Sequence, residues 1–191
     1  MLDLNGQTQY YLGLYEWEVR CWTQRFLKKS KIFIDIGSGE GYYALFALKQ
    51  PHLHKILAFE PLEESRKLLN ENLGLNAMKQ DARLEISERF VGKNDPPLYR
   101  SLDSLLISES CTIKMDVEGA ELEILREARR FMNGGERFWI IETHSARLED
   151  QCAQVLGQAG YRIRIIPNAW WRCLIPEGRP IAHNRWLVAF R

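Results

Sequence analysis

The sequence predicts an α/β fold: a mostly parallel seven-stranded sheet with an antiparallel C-terminal hairpin and helices on both faces. Three observations predict it. Short β-branched and apolar runs recur along the chain, separated by stretches with helical periodicity. The first run, residues 32–36, passes directly into glycines at alternate positions, Gly37, Gly39 and Gly41, and then into the apolar helix pattern of Tyr43, Leu45, Phe46 and Leu48. The last two runs, 161–166 and 185–190, have no helical stretch between them, so they should pair antiparallel.

Each element follows in order. Leu12, Tyr15, Val19, Trp22 and Phe26 recur at three- and four-residue steps, one apolar face of a helix with Arg20, Arg25, Lys28 and Lys29 mostly off it. Such a basic amphipathic helix could lie on a membrane, but packing on the chain's own sheet is expected. Residues 32–36 form the first strand and 55–59 the second, which ends at Glu60-Pro61. A helix over 62–73 should bury Leu62, Leu69 and Leu73 and close at Gly74. Alternation of Leu84, Ile86 and Phe90 predicts a third strand within 83–91, broken off by Asn94-Asp95-Pro96-Pro97. Ser101 caps a short helix over 101–106. Residues 111–116 are the fourth strand. A helix over 118–131 follows, with Leu122, Leu125 and Ala128 inward and Gly134-Gly135 ending it. Residues 138–142 are the fifth strand, and 148–157 the next helix, with Cys152, Val155 and Leu156 inward.

With 191 residues the chain reads as a single domain: an N-terminal helical segment, 1–31, and a sheet-bearing core, 32–191. Its 46% hydrophobic and 27% charged content is that of an ordinary soluble protein. A net charge of +1 supplies no global field for nucleic acid or anionic lipid. Cys21, Cys111, Cys152 and Cys173 form no C-x-x-C pair, which fits a reducing compartment and argues against a zinc site or a disulfide frame. No signal peptide or membrane-spanning run is read, so a cytoplasmic location is expected.

The glycine spacing points to a ligand. Gly37-x-Gly39-x-Gly41 lacks the G-x-G-x-x-G of dinucleotide sites, which favours S-adenosylmethionine (SAM), a ligand with no pyrophosphate to seat, over NAD. Glycines let the chain turn tightly and let a ligand approach the backbone, and the helix start that follows offers free N–H groups. Glu60 stands about 20 residues beyond the glycines, where an acid grips a ribose diol. A tight strand–helix turn with a surface Glu is the plainer alternative. Ligands in such sheets bind at the carboxyl ends of the strands. By that rule Asp35, Glu60, Asp116 and Glu142 converge on one crevice. Asp35 and the turn Gly37, Ser38, Gly39 and Gly41 would hold the methionine end and Glu60 the ribose, Pro61 would also contact the cofactor, and Phe90 and Val91 would flank the adenine. Asp116 would lie near the transferred methyl.

The same residues resemble the FkbM-like methyltransferases, a SAM-dependent family that mostly methylates hydroxyl oxygens. Residues 33–43, Phe-Ile-Asp-Ile-Gly-Ser-Gly-Glu-Gly-Tyr-Tyr, look like the family's first motif, and Ala58-Phe59-Glu60-Pro61 its second. Residues 68–76 are similar to its following helix, and 101–105 to a further short motif. The most specific match is Ile113-Lys114-Met115-Asp116-Val117-Glu118-Gly119-Ala120-Glu121, followed by Ile141-Glu142-Thr143-His144. The resemblance spans most of 32–144. Ser38-Gly39 stands where the family often has Ala-Asn, closer to methyltransferases in general. It implies a Rossmann-like class I methyltransferase fold, SAM as cofactor, and a small-molecule or sugar acceptor.

A hydroxyl acceptor needs its proton removed. His144 is the first candidate for that base, because an imidazole titrates near neutrality, with Asp116 and Glu118 next. Plainer readings stand beside these: Glu118 as a helix-start acid, Lys114 as a structural partner of a carboxylate, His144 as a satisfied loop histidine. Asp116, Glu142 and His144 offer donors to a divalent cation, but their spacing is not diagnostic and no metal is expected. Trp170-Trp171-Arg172, between the last two strands, could stack a planar acceptor or anchor the hairpin. N-methylation of protein or RNA and SAM binding without turnover are the competing functions. A homodimer is compatible with the sequence.

Overall fold

In a computed structural model of the chain, the residues described are 14–93, 95–170, 183 and 185–191. A seven-stranded sheet has the order β3-β2-β1-β6-β7-β9-β8. Its members are β1 (Ile32–Ile36), β2 (Lys55–Phe59), β3 (Leu84–Ser87), β6 (Cys111–Met115), β7 (Arg137–Thr143), β8 (Arg162–Ile166) and β9 (Arg185–Phe190). Only β9 runs against the rest, pairing antiparallel with both β7 and β8. The expected sheet and its terminal hairpin are therefore present. Strand order reverses between β1 and β6, and an open α/β sheet leaves a crevice at such a point.

All five residues of β1, all five of β6 and all seven of β7 are buried, as expected of strands covered on both faces. On one face Ile34, Ile36, Phe59, Ile113, Met115, Trp139 and Ile141 pack under α4 (Glu121–Glu127), α5 (Arg129–Asn133) and α6 (Ala146–Gln158). The alternate residues face the other side. Phe33, Ile56 and Ala58 meet α2 (Tyr42–Leu48) and α3 (Glu63–Leu75), while Phe138, Ile140, Trp186 and Val188 meet Val19 and Phe26 of α1 (Trp17–Leu27). The apolar stripe of α1 thus covers the sheet at β7 and β9, with Phe26 stacked on Phe138 at 4.9 Å. Leu12, and with it the start of the expected helix, lies outside the described residues.

Several boundaries differ from expectation. Leu62 is 60% exposed, because it precedes α3 in an extended conformation and is not carried onto the helix's buried face; Leu69 and Leu73 are buried. Gly74 does not end α3. The helix runs on to Leu75, and Ala77 takes the left-handed conformation at φ 57°. The Met78 amide bonds to the Leu73 carbonyl at 2.9 Å and the Ala77 amide to Gly74 at 3.1 Å, which makes this a Schellman closure with alanine in the glycine position. The third strand is only Leu84–Ser87. Beyond it β4 (Phe90–Val91) leaves the sheet and pairs with β5 (Tyr99–Arg100). Ser101 caps a 3-10 turn, Leu102–Leu105, by accepting from the Asp103 amide at 3.1 Å. The helix expected over 118–131 is two short helices that meet at Ala128, with Leu125 and Ala128 buried and Leu122 only partly so.

Among the described residues, no helix is long and apolar enough to cross a membrane.

Candidate active site

The site forms where β1, β2 and β6 end. Gly37, at φ +74°, turns the chain out of β1. A Cβ there would stand 1.9 Å from the Asp116 carbonyl oxygen, so the close approach that requires glycine is made by the chain's own β6 exit. At Gly41, φ +86°, a Cβ would meet Leu69 of α3 at 2.7 Å. Gly39, at φ +51°, has nothing within 4 Å of where a Cβ would be. Of the three glycines, then, two are demanded by packing and one borders open space. Glu60 braces the turn. Its Oε2 accepts from the Gly39 amide at 2.8 Å and its Oε1 from the Leu62 amide at 2.9 Å. Arg66 donates to the carbonyls of Glu60 and Pro61, which fixes the strand exit.

A cleft of about 550 Å³ opens over this turn. Gly37, Gly39, Glu60, Pro61, Phe90, Val91, Asp116 and Glu118 line it, all named from the sequence. Arg89, Tyr99 and Glu123 also line it and were not. Tyr99 lies 5.4 Å from Phe90, ring to ring, across the β4–β5 pair, and no local pattern announces that pairing. Asp35, Ser38, Gly41, Glu142 and His144 are not on the cleft wall. Asp35 and Glu142 are almost wholly buried, and Ser38 is 7% exposed.

Asp35 stands directly across from Lys114 in the β1–β6 register. Among the described residues neither of its carboxyl oxygens has a hydrogen-bond partner. Burial pushes its carboxyl up to about 7; the Lys114 charge opposes that, and the carboxylates of Glu16, Asp116 and Glu60 reinforce it. Lys114 is itself buried. Desolvation pulls its ammonium down, but the carboxylates of Asp116, Glu16 and Asp35 prevail and hold it above its ordinary value. Its Nζ lies 3.3 Å from Asp116 Oδ2 and 5.1 Å from the centre of the Tyr43 ring.

His144 lies behind Asp116. Its Nδ1 donates to Glu121 Oε1 at 2.9 Å, and its Nε2 stands 3.5 Å from Asp116 Oδ1. The hydrogen bond to Glu121 raises the imidazole above its usual value; burial opposes it, and the charges of Glu121, Asp116 and Glu118 add to it. Glu118 is not a helix-start acid. Glu118 and Gly119 have φ of 49° and 112°, and α4 begins only at Glu121, which is fully buried. The left-handed step at Glu118-Gly119 delays the helix and brings Glu121, not Glu118, against the imidazole. Trp170 is 79% exposed, and Trp171 and Arg172 lie outside the described residues.

No family model matches the chain, and no curated protein matches it by sequence. Solved structures do. Methyltransferase FkbM from Methylobacillus flagellatus KT superposes with a TM-score of 0.65 at 21% identity, over 85% of this chain and 44% of that one. Precorrin-6y C5,15-methyltransferase from Geobacter metallireducens GS-15 gives 0.61 at 17% identity, over 91% and 88%. The chain has the class I methyltransferase fold. Streptococcus pneumoniae Sp1610, crystallised with SAM, shares that fold with a TM-score of 0.56 at 14% identity, over 90% of this chain and 72% of that one. The chain spans less than half of the FkbM methyltransferase it resembles. Within the class I fold, the cleft at the β1–β6 reversal is the crevice beyond the strand ends where this sheet type takes its ligands.

Proposed function

We propose that the chain is a SAM-dependent methyltransferase that acts on a hydroxyl oxygen of a small molecule or sugar. The observation that carries this reading is the pairing of Glu60 and Asp116 on opposite sides of the glycine turn, on the wall of one cleft of about 550 Å³. That volume lies in the range of small-ligand sites. Glu60 keeps lone pairs beyond the two amide bonds it accepts, and these would take the ribose hydroxyls. Phe90, Val91 and Tyr99 would enclose the adenine, with Pro61 beside the ribose. The backbone of Gly37 and Gly39 would hold the methionine end, with the Asp35 carboxylate buried beneath the turn as a nearby negative charge.

Methyl transfer is an in-line displacement. The oxygen lone pair forms the new C–O bond as the C–S bond breaks and the sulfonium becomes a thioether. Holding acceptor and methyl on one axis supplies much of the rate. The hydroxyl proton must leave, and Asp116 is the carboxylate that faces the cleft beside the turn. His144, hydrogen-bonded to Glu121, stands 3.5 Å behind it and shares the proton-accepting task; Glu118 is the further carboxylate on the wall. Lys114 holds the other Asp116 oxygen.

Calorimetric titration with SAM tests the cofactor. Binding with one molecule per chain is expected, and no heat at millimolar SAM would overturn the reading. A panel of hydroxylated small molecules, sugars, nucleosides and peptides, followed by release of S-adenosylhomocysteine, identifies the acceptor; a product methylated on a nitrogen would overturn the hydroxyl assignment.

A further inference from the structure

Asp116 at the exit of β6 and Glu142 and His144 at the exit of β7 bring two carboxylates and an imidazole together. One donor atom from each lies within 4.8 Å of the other two. We propose that these three side chains bind a divalent transition cation just behind the cleft wall at Asp116, and that it activates the acceptor hydroxyl. The role assigned to the cation rests on the methyltransferase reading above; the site itself does not.

Geometry supports the site. Oδ1 of Asp116 and Nε2 of His144 are 3.5 Å apart. Two donors held tetrahedrally about 2.1 Å from one ion are separated by roughly 3.4 Å, so these atoms already stand at ligand spacing. Glu142 supplies the third donor, within 4.8 Å of the other two. A metal-bound histidine commonly donates its other ring N–H to a carboxylate, which fixes the ring and raises its donor strength. His144 Nδ1 does this to Glu121, whose side chain is fully buried and whose second oxygen has no hydrogen-bond partner among the described residues. Lys114 occupies Asp116 Oδ2 and leaves Oδ1 toward the imidazole.

Charge agrees with geometry. Asp116, Glu118, Glu121 and Glu142 gather around His144, and Lys114 is the buried lysine among them. One imidazole with two carboxylates suits Mn²⁺ or Zn²⁺ better than the all-oxygen surroundings that Ca²⁺ and Mg²⁺ favour. Asp116 lines the cleft, so a cation on its Oδ1 would lie one side chain from the acceptor, with an open position reached past Asp116. A hydroxyl bound there loses its proton more readily, to the Glu118 carboxylate that remains on the cleft wall, since a Lewis acid stabilises the alkoxide. With the cation in place His144 is a ligand, and acidification of the hydroxyl passes from the imidazole to the ion.

The test is titration of the chelator-treated chain with Mn²⁺ alone, following the free ion by electron paramagnetic resonance. Mn²⁺ is chosen because the exposed thiol of Cys21 would draw Zn²⁺. One ion per chain with a Kd below about 100 µM is expected. His144→Ala and Glu142→Gln should each weaken binding at least tenfold, and Glu121→Gln by about 10–100-fold. Absence of stoichiometric binding at about 1 mM, or affinity unchanged in folded Glu142→Gln and His144→Ala, overturns the site. Should a variant fail to fold, the wild-type titration still decides. A SAM titration on the same preparation separates the two readings: SAM binding without Mn²⁺ binding removes the cation alone, and Mn²⁺ binding without SAM binding removes the methyltransferase assignment.

Discussion

The Glu60 carboxylate reaches back 21 residues to the Gly39 amide, with Oε2 to N at 2.8 Å, while its other oxygen holds the Leu62 amide. One side chain therefore joins the first glycine turn to the start of α3. Glu60→Gln should break this brace, because an amide offers one acceptor oxygen and turns an NH₂ group toward the second N–H. We expect a loss of about 1–3 kcal/mol in stability, read by urea denaturation. SAM affinity should fall at least tenfold, about 1.4 kcal/mol, in calorimetry. Unchanged stability would show that the brace contributes nothing.

The glycines of the turn should separate stability from binding. Gly37→Ala drives a methyl to 1.9 Å from the Asp116 carbonyl oxygen and also strains a left-handed residue. Overpacking and strain together should cost about 2–5 kcal/mol. Gly39→Ala meets no atom within 4 Å and carries only the left-handed penalty, about 1–2 kcal/mol. Its methyl borders the cleft, so cofactor affinity should fall out of proportion to stability. Thermal unfolding and SAM titration of the two variants check the contrast; equal profiles would contradict it.

At the end of α3 the left-handed residue is Ala77, in a closure that normally selects glycine. Ala77→Gly should relieve the Cβ penalty while adding some unfolded-state entropy, for a net gain of about 0.5–1 kcal/mol. Denaturant midpoints measure it. A loss of stability would mean that the Ala77 side chain contributes packing that outweighs its strain.

The strands, the glycine turn and Glu60 were legible because their signals are local: period-two burial, alternate glycines, and an acid at a strand exit. What was hidden depends on contacts distant in sequence. Glu118 in a left-handed conformation contradicts ordinary preference, so the later start at Glu121 could not be read, and with it the partner of His144. The buried Glu121 looks like any first-turn acid until β7 brings the imidazole to it. Leu62 matched a helical stripe but sits before the helix, on the exposed side of the strand exit. Tyr99 reaches the cleft only through the β4–β5 pair, two residues a side, too short for periodicity to announce.

Asp35 sets the pH response. Its carboxyl is pushed up to about 7 in the fold, chiefly by burial, against 3.8 for the ordinary group. Between these values the folded Asp35 binds more proton than the unfolded one, so its contribution to stability falls as pH rises from about 4 to 7 and levels off above. A gap of about three units sets an upper scale of roughly 4 kcal/mol for that fall. Asp35→Asn, which cannot ionise, should flatten this part of the profile and be the more stable chain at pH 8. Cofactor binding should act in the opposite sense. A ligand ammonium seated on the turn above the buried Asp35 acts on it through space, favours the carboxylate and lowers its pKa, so SAM should release a proton on binding near neutrality and bind more tightly at pH 8 than at pH 6. Calorimetry in buffers of different ionisation enthalpy measures the release. In Asp35→Asn the proton should disappear and the affinity should fall and lose its pH dependence. A proton release that survives the substitution would assign the titration to another group.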